Sequence, residues 1–334
     1  MRLTRPRARA CCVGRAAPPV RECQYGLAQA SRPHEDAETR ADGASLANRN
    51  GHDRHRPGAF APDRLIAQGS AVCDPTPPPY DIVGDVHGCV DELRDLLDRL
   101  GYRLDDDIVR HPEGRTLAFL GDLNDRGPGS IAVWSIAIAS LEAGTALYVP
   151  GNHDSKLARY LIGRDVQLTY GLAETVDELL ALPPRRQRVL GRAIADLLVE
   201  TPPYRILDRG RLVIAHAGIE EWMIGRVDRE ISAFCRFGEP TGERSPWGFP
   251  IRRDWAADYR GAPLVVYGHT PMHAAEWRNN TINIDTGCAF GGALTALRYP
   301  EREIVSVPAR RVYAEPSMEA RVNPPSPSVA AGGA

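Results

Sequence analysis

Five times along this chain a short apolar run stops and gives way at once to a cluster of Asp, His or Asn beside small residues. Asp81-Ile82-Val83 runs into Gly84-Asp85-Val86-His87-Gly88. Thr116 to Leu120 runs into Gly121-Asp122-Leu123-Asn124-Asp125-Arg126-Gly127, and Ala146 to Val149 into Gly151-Asn152-His153-Asp154. Leu212 to Ala215 and Leu264 to Tyr267 end in His216-Ala217-Gly218 and Gly268-His269-Thr270. Apolar runs of this length read as strands, and in α/β sheets the loops at the carboxyl ends of strands converge on one crevice. Five loops therefore aim at one place.

Between these strands the period changes. Val90, Leu93, Leu97 and Leu100 recur at helix spacing, and Ile131 to Leu141 reads as a buried helix. Residues 155–200 look mostly helical, broken at Gly163, Gly171 and Pro183-Pro184, and a helical cap beside the crevice is expected there. Later strands are expected at Arg205 to Leu207, Thr281 to Ile284, Leu294 to Arg298 and Ile304 to Val307. Strand-helix-strand units followed by further strands indicate two packed sheets with helices outside. Residues 1–79 and 315–334 lack apolar periodicity and read as a disordered leader and tail, which leaves 80–314 as the folded domain. The Arg-rich first residues faintly resemble an organelle transit peptide but show no amphipathic face.

Composition narrows the function. Lys+Arg number 41 and Asp+Glu 43, a formal net charge of -2, so no global field draws the chain to nucleic acid or acidic membrane. No run approaches the ~18 apolar residues of a membrane span, and a cytoplasmic protein is expected. The 7 cysteines are odd in number and scattered, which reads as reduced thiols in a large core. Lys156 is the sole lysine, and no Gly-rich loop ends in Lys-Ser/Thr, which removes the P-loop kinases.

Taken singly, each polar cluster has a plainer explanation. Asp-x-His after a strand is often an Asx turn, Gly-Asn-His a left-handed turn, and His216 or His269 a satisfied core histidine. The conjunction changes this. Four of the 9 histidines, at 87, 153, 216 and 269, sit where strands end beside glycine or alanine, so that backbone can approach a ligand closely. A shared metal site accounts for all of them at once.

The ordered set Gly-Asp-x-His-Gly, Gly-Asp-x-x-Asp-Arg-Gly, Gly-Asn-His-Asp, His-Ala-Gly and Gly-His-Thr resembles the calcineurin-like metallophosphoesterases over residues 80 to about 314. The branch is the one that includes serine/threonine phosphoprotein phosphatases and diadenosine tetraphosphatases. Three later stretches look most similar to the phosphatase domain of bacterial polynucleotide kinase-phosphatase. They are Tyr170 to Thr175, Phe237 to Gly242 with Trp255 and Tyr259-Arg260-Gly261, and Asn279 to Glu303 containing Thr286-Gly287-Cys288.

The resemblance implies a four-layer α/β/β/α sandwich and two divalent metal ions. Asp85, His87 and Asp122 would hold one ion; Asp122, Asn152, His216 and His269 would hold the other, with Asp122 bridging. Mn2+ is favoured, while Fe, Co, Ni and Zn also suit such donors. Two ions ~3.5–4 Å apart share a water and lower its pKa, so that the bridging hydroxide attacks phosphorus in line. His153 would be the general acid, oriented by Asp125, and Arg126 with Arg252 would clamp the phosphate. Asp125 can also be read as a cap on the helix near Pro128, and Arg252 as a surface partner of Asp254 or Glu243, with Arg253 in the clamp instead. Asn124 departs from the family, which usually has an apolar residue there, often valine.

The expected substrate is a phosphorylated nucleic-acid end, an RNA 2′/3′-phosphate or 2′,3′-cyclic phosphate, or a nucleotide. Diadenosine tetraphosphate hydrolysis and protein serine/threonine dephosphorylation are the alternatives within the class, and a non-catalytic RNA-end or partner-binding module is the alternative outside it. Arg159, Arg164, Arg185, Arg186 and Arg188 read either as a nucleic-acid path or as a solvated face. The kinase-phosphatases flank this domain with a kinase and a ligase-like domain, neither legible here, so a free-standing phosphatase is expected. No oligomeric state can be read from the sequence.

Overall fold

Strand β1 (Tyr80–Val83) is apolar on both faces, with Ile82 entering one buried cluster and Val83 another. The split recurs in β4 (Thr116–Phe119), where Ala118 joins Ile82 while Leu117 and Phe119 join Val83. A strand of this kind must be covered twice, which is the condition of parallel sheets. β1 pairs in parallel with β4, and β4 with β5 (Ala146–Tyr148). Antiparallel β13 (Ala293–Tyr299) and β14 (Glu303–Pro308) complete the order β14-β13-β1-β4-β5.

A second five-stranded sheet contains β6 (Tyr204–Leu207), β7 (Leu212–Ala215), β10 (Leu264–Tyr267), β11 (Glu276–Arg278) and β12 (Thr281–Asn283), in the order β11-β12-β10-β7-β6. Leu212 and Ile214 of β7 share the cluster of Ile82 and Ala118, whereas Val213 and Ala215 face the other way. The two sheets therefore bury one face against each other. Their outer faces are covered by helices. On the first sheet lie α1 (Val90–Leu100), α2 (Ser130–Glu142), α3 (Asn152–Leu161), α4 (Leu172–Leu180) and α5 (Pro184–Glu200), and on the second α6 (Arg229–Phe237) and α7 (Trp255–Asp258). The four-layer α/β/β/α arrangement is the one expected.

This computed structural model describes residues 79–244 and 250–315. The expected leader and tail lie outside the described residues, apart from Pro79 and Glu315 at their inner edges. Among the described residues no helix is long and apolar enough to cross a membrane. Cys89, Cys235 and Cys288 are free and buried, as read from the sequence.

Several details differ from the sequence reading. Asn152 and His153, expected on a strand-exit loop, are the first two residues of α3. The helices of residues 155–200 fall between the expected breaks, but Leu157, Leu172, Val176, Ile194 and Leu198 join the core under α2. Arg159, Arg164, Arg185, Arg186 and Arg188 are all exposed. Two hairpins were not foreseen, β2 (Arg103–Asp105) with β3 (Ile108–Arg110), and β8 (Pro240–Arg244) with β9 (Pro250–Arg252). Neither was α6, although Asp228 caps it by accepting from the Ile231 amide at 2.8 Å, a legible start signal.

Candidate metal centre

The expected loops meet at one rim, and the backbone there is strained. His87, Asp122, Asp125, Arg126 and His269 have φ of 45°, 48°, 72°, 72° and 72°. Left-handed backbone costs a non-glycine residue about 1–3 kcal/mol, and such residues gather where function demands a particular side-chain direction. The loops also lie close. A Cβ on Gly151 would collide with the Asp122 carboxylate, and one on Gly268 with that of Asp85.

Hydrogen bonds fix which nitrogen of each imidazole faces inward. His216 Nδ1 lies 2.8 Å from the Leu120 carbonyl and His87 Nδ1 lies 3.0 Å from that of Asn124. A carbonyl only accepts, so both Nδ1 atoms carry protons and both Nε2 atoms present lone pairs. His216 Nε2 then sits 3.0 Å from Asn152 Oδ1, 3.1 Å from His269 Nδ1 and 3.5 Å from Asp122 Oδ2. His269 Nδ1 is also 2.9 Å from Asn152 Oδ1, and its buried Nε2 has no hydrogen-bond partner among the described residues. On the other side of the same carboxylate, His87 Nε2 is 3.6 Å from Asp122 Oδ2. Electron pairs converging with too few protons between them suit a cation, and Asp122 belongs to both groups of such donors, one with His87 and His153 and one with His216 and His269.

Beside this cluster, His153 Nδ1 donates to Asp125 Oδ2 at 2.6 Å. The other oxygen of Asp125 accepts from Asn124 Nδ2 at 2.7 Å and Thr175 Oγ1 at 2.8 Å. Asn124 Oδ1 in turn accepts from Trp134 Nε1 at 3.3 Å. The polar departure at 124 is thus fully buried and bonded at both ends of its amide. Asp125 caps no helix in this arrangement; Glu178 does so for α2, accepting from the Ile131 amide at 2.9 Å. Arg126 lies over the Phe290 ring at 4.7 Å and donates from Nη1 to His87 Nε2 and from Nη2, at 3.1 Å, to His153 Nε2.

A sequence profile of the calcineurin-like phosphoesterases matches residues 78–273. The chain belongs to that family. It is similar to the asymmetrical bis(5'-nucleosyl)-tetraphosphatase PrpE of Geobacillus thermodenitrificans, at 52% identity over 229 residues, which are 69% of this chain and 94% of the relative. The PrpE of Halalkalibacterium halodurans is 50% identical over 232 residues, 70% and 94% of the two chains. A solved structure assigned provisionally to the diadenosine tetraphosphatases superposes with a TM-score of 0.50 at 24% identity, covering 70% of this chain and 95% of that one, and supports the fold. These relatives do not support the narrower likeness to polynucleotide kinase-phosphatase. Calcineurin-like phosphoesterases use a binuclear divalent metal centre, and this chain is a metal-dependent phosphoesterase, a hydrolase.

The electrostatics of this phosphoesterase centre favour cations. Burial, then the charges of Asp285 and Asp122, pushes the Asp85 carboxyl well above its usual range. Burial raises Asp122 to about 7, despite the His153 amide that bonds it. Burial lowers His216 to about 4, and burial together with Arg126 lowers His87 and His153 well below the ordinary imidazole range. His269 is lowered by burial and by His216. Metal ligation needs deprotonated carboxylates and neutral imidazoles, so bound cations relieve the first shift and exploit the second.

Of the six expected ligands, His87, Asp122, Asn152, His216 and His269 come together as described. Asp85 turns to the 268–269 loop, where the His269 amide lies 3.2 Å from each of its oxygens. Two residues were missed. Asp285 is buried, and its charge bears on Asp85, Asp122 and His216; it follows the apolar run ending at Ile284, the very pattern that marked the other loops. Asp154 was seen only as part of a motif. Its Oδ2 accepts from the amides of Asp122 at 2.8 Å and Gly151 at 2.9 Å and from Tyr148 Oη at 2.7 Å, and its Oδ1 from the Leu123 amide at 2.8 Å.

Arg252 ends β9, with Nε donating to the Phe237 carbonyl at 2.6 Å, and its charge reaches His216 and His269. Arg253 points elsewhere, pairing with Glu220, with Glu239 at 2.5 Å and with Asp258 at 3.6 Å. Asp254 is taken by Arg278 at 2.5 Å.

Proposed function

We propose that this phosphoesterase hydrolyses bis(5'-nucleosyl) tetraphosphates asymmetrically, water and the substrate giving one nucleoside monophosphate and one nucleoside triphosphate. The observation that carries the chemistry is the inward convergence of lone pairs on both sides of Asp122. The choice of substrate is supported by relatives at 47–52% identity that bear this activity in their names and are matched over 94–96% of their length. Nucleic-acid ends, the first expectation from sequence, have no such support, and the arginines that would have formed a path lie on the solvated face. Residues 80–314 form the catalytic domain in this reading.

Asp85, His87 and Asp122 would hold one ion, and Asp122, Asn152, His216 and His269 the second. Mn2+ is favoured, with Fe, Co, Ni or Zn also matching the donors. Bound there, the ions supply Lewis-acid neutralisation of phosphate charge and activation of water. The chain's own groups do the rest. Arg126, kept flat by Phe290, grips the phosphate with a planar fork, and Arg252 adds positive charge from the second sheet. Asp125 holds His153 by Nδ1, so Nε2, which accepts from Arg126 at 3.1 Å in the structure, is the atom that would carry a proton to the leaving oxygen once Arg126 turns to the phosphate. Asp285 supplies a third carboxylate close to Asp85 and Asp122.

The test is product analysis with the Mn2+-loaded enzyme. Diadenosine tetraphosphate should yield equimolar AMP and ATP, and His269→Ala should lower kcat/KM by roughly a hundredfold or more. Two ADP as products, or a preference above about tenfold for phosphorylated RNA ends or phosphopeptides, overturns the reading.

A further inference from the structure

Arg126 has a second neighbour besides the metal-capable cluster. A cleft of about 600 Å³ opens beside it, walled by Gly127 and Pro128, by Glu174 and Asp177 of α4, and by Arg311 with Tyr313. That volume lies in the range of small-ligand sites. Amides of Tyr313 and Ala314 both donate to the Ala289 carbonyl, at 3.0 and 2.9 Å, which ties the outer wall to the turn that carries Phe290. The Tyr313 hydroxyl donates to Glu92 at 2.6 Å, so the ring is fixed, and the Arg311 guanidinium lies over its face at 5.0 Å. The carboxylates of Glu174 and Asp177 make no hydrogen bond or ion pair among the described residues.

We propose that this cleft holds one nucleoside of the substrate, its base stacked on Arg311, its ribose hydroxyls donating to Glu174 or Asp177, and its first phosphate at Arg126. The inference rests on the tetraphosphatase reading and extends it. Charge sets the orientation. Carboxylates at the outer part of the cleft repel a polyphosphate chain but accept from ribose hydroxyls, as acidic residues do in dinucleotide sites. The arginine at the inner end attracts phosphate. An arginine plane backed by an aromatic ring offers a stacking surface to a base without reading its edge, so purine should be preferred over pyrimidine only weakly.

The experiment compares wild type, Arg311→Ala and Asp177→Ala, with Arg185→Ala as a control on exposed α5. Arg311→Ala should lower the ratio of kcat/KM for diadenosine tetraphosphate to that for p-nitrophenyl phosphate roughly tenfold, chiefly through KM. Asp177→Ala should lower it by a few-fold and Arg185→Ala should not move it. An unchanged ratio in Arg311→Ala, including equal loss on both substrates, overturns the proposal. Inhibition of p-nitrophenyl phosphate hydrolysis keeps the two readings apart. AMP should inhibit wild type several-fold more tightly than ribose 5-phosphate, and Arg311→Ala should erase that difference. Equal inhibition of wild type by the two compounds sinks the cleft even if the tetraphosphate is cleaved. If the tetraphosphate is not cleaved but AMP keeps its advantage, the tetraphosphatase reading fails and the nucleoside cleft stands.

Discussion

Two buried aspartates four residues apart, Asp81 within β1 and Asp85 just past its end, live in opposite company. Asp81 is enclosed by arginine: Arg115 reaches it through Nε and Nη2, both at 2.9 Å, and Arg298 through Nε at 3.1 Å. Arg115 also binds Glu301 at 2.8 Å. Asp85 instead faces Asp122 and Asp285, with a backbone amide as its nearest donor. The chain thus has the means to pair a buried carboxylate directly with arginine and does so at one end of the strand, while Arg126 acts on Asp85 only through its charge. At the amino end the charges close on themselves and serve the fold; at the carboxyl end the carboxylates crowd together, a repulsion that a bound cation would relieve.

The widest separation of the two ends should come from removing the shared carboxylate. Asp122→Asn should lower p-nitrophenyl phosphate turnover with Mn2+ by about a thousandfold or more, while the melting temperature of the metal-free protein holds or rises as like charges are relieved. Turnover above a tenth of wild type would mean that other residues run the chemistry. Arg115→Ala should do the reverse. It leaves Asp81 buried with one arginine, which costs about 3–5 kcal/mol. At about 2–4 °C per kcal/mol for a domain of this size the melting temperature falls markedly, while kcat of the folded enzyme and its metal content stay the same. A loss below about 1 kcal/mol would show that Arg298 alone suffices.

Acid should weaken the open end selectively. Asp122, raised to about 7, carries a proton below that pH that a metal must displace, whereas the buried imidazoles are already neutral. Mn2+ affinity should therefore fall at least about tenfold per pH unit below 7, because Asp85, also raised, must give up its proton as well, with proton release visible by titration calorimetry in buffers of different ionisation enthalpy. Affinity independent of pH between 6 and 7 would contradict the raised carboxyl. The smallest effect is expected at Asn124→Val. Metal content should not change, but Trp134 Nε1 loses its acceptor and Asp125 one of its donors, costing about 1–3 kcal/mol of stability. Turnover of alkyl phosphates should drop more than that of p-nitrophenyl phosphate, whose leaving group needs little protonation; a lost metal would instead place Asn124 in the coordination shell.

The parts of this molecule that were legible in sequence are those that repeat. Strand-helix-strand units followed by further strands announced two packed sheets with helices outside, and five polar strand exits announced one site. Asp285 obeyed the same rule but lacked a histidine beside it, so it passed unnoticed. The β2–β3 hairpin was hidden because Asp106 and Asp107 make its turn with φ of 47° and 62°, where glycine is the usual signal. Whether Arg252 or Arg253 faces the site depends on which neighbouring carboxylates capture which guanidinium, and those neighbours come from separate elements. Arg126 between two imidazoles is likewise a product of tertiary packing, since His87 and His153 are 66 positions apart in the chain.

The Asp154 carboxylate acts as a rivet. By fastening the Asp122 and Gly151 amides to a single oxygen, it makes the loops that carry Asp122 and Asn152 one stiff piece. His216 and His269 belong to the other sheet and are fastened by individual hydrogen bonds instead, His216 to the Leu120 carbonyl, the His269 amide to Asp85 and the Gly268 amide to the His216 carbonyl. One carboxylate thus clamps a whole pair of loops on the first sheet, where the second sheet relies on separate contacts, each of which can give without the others.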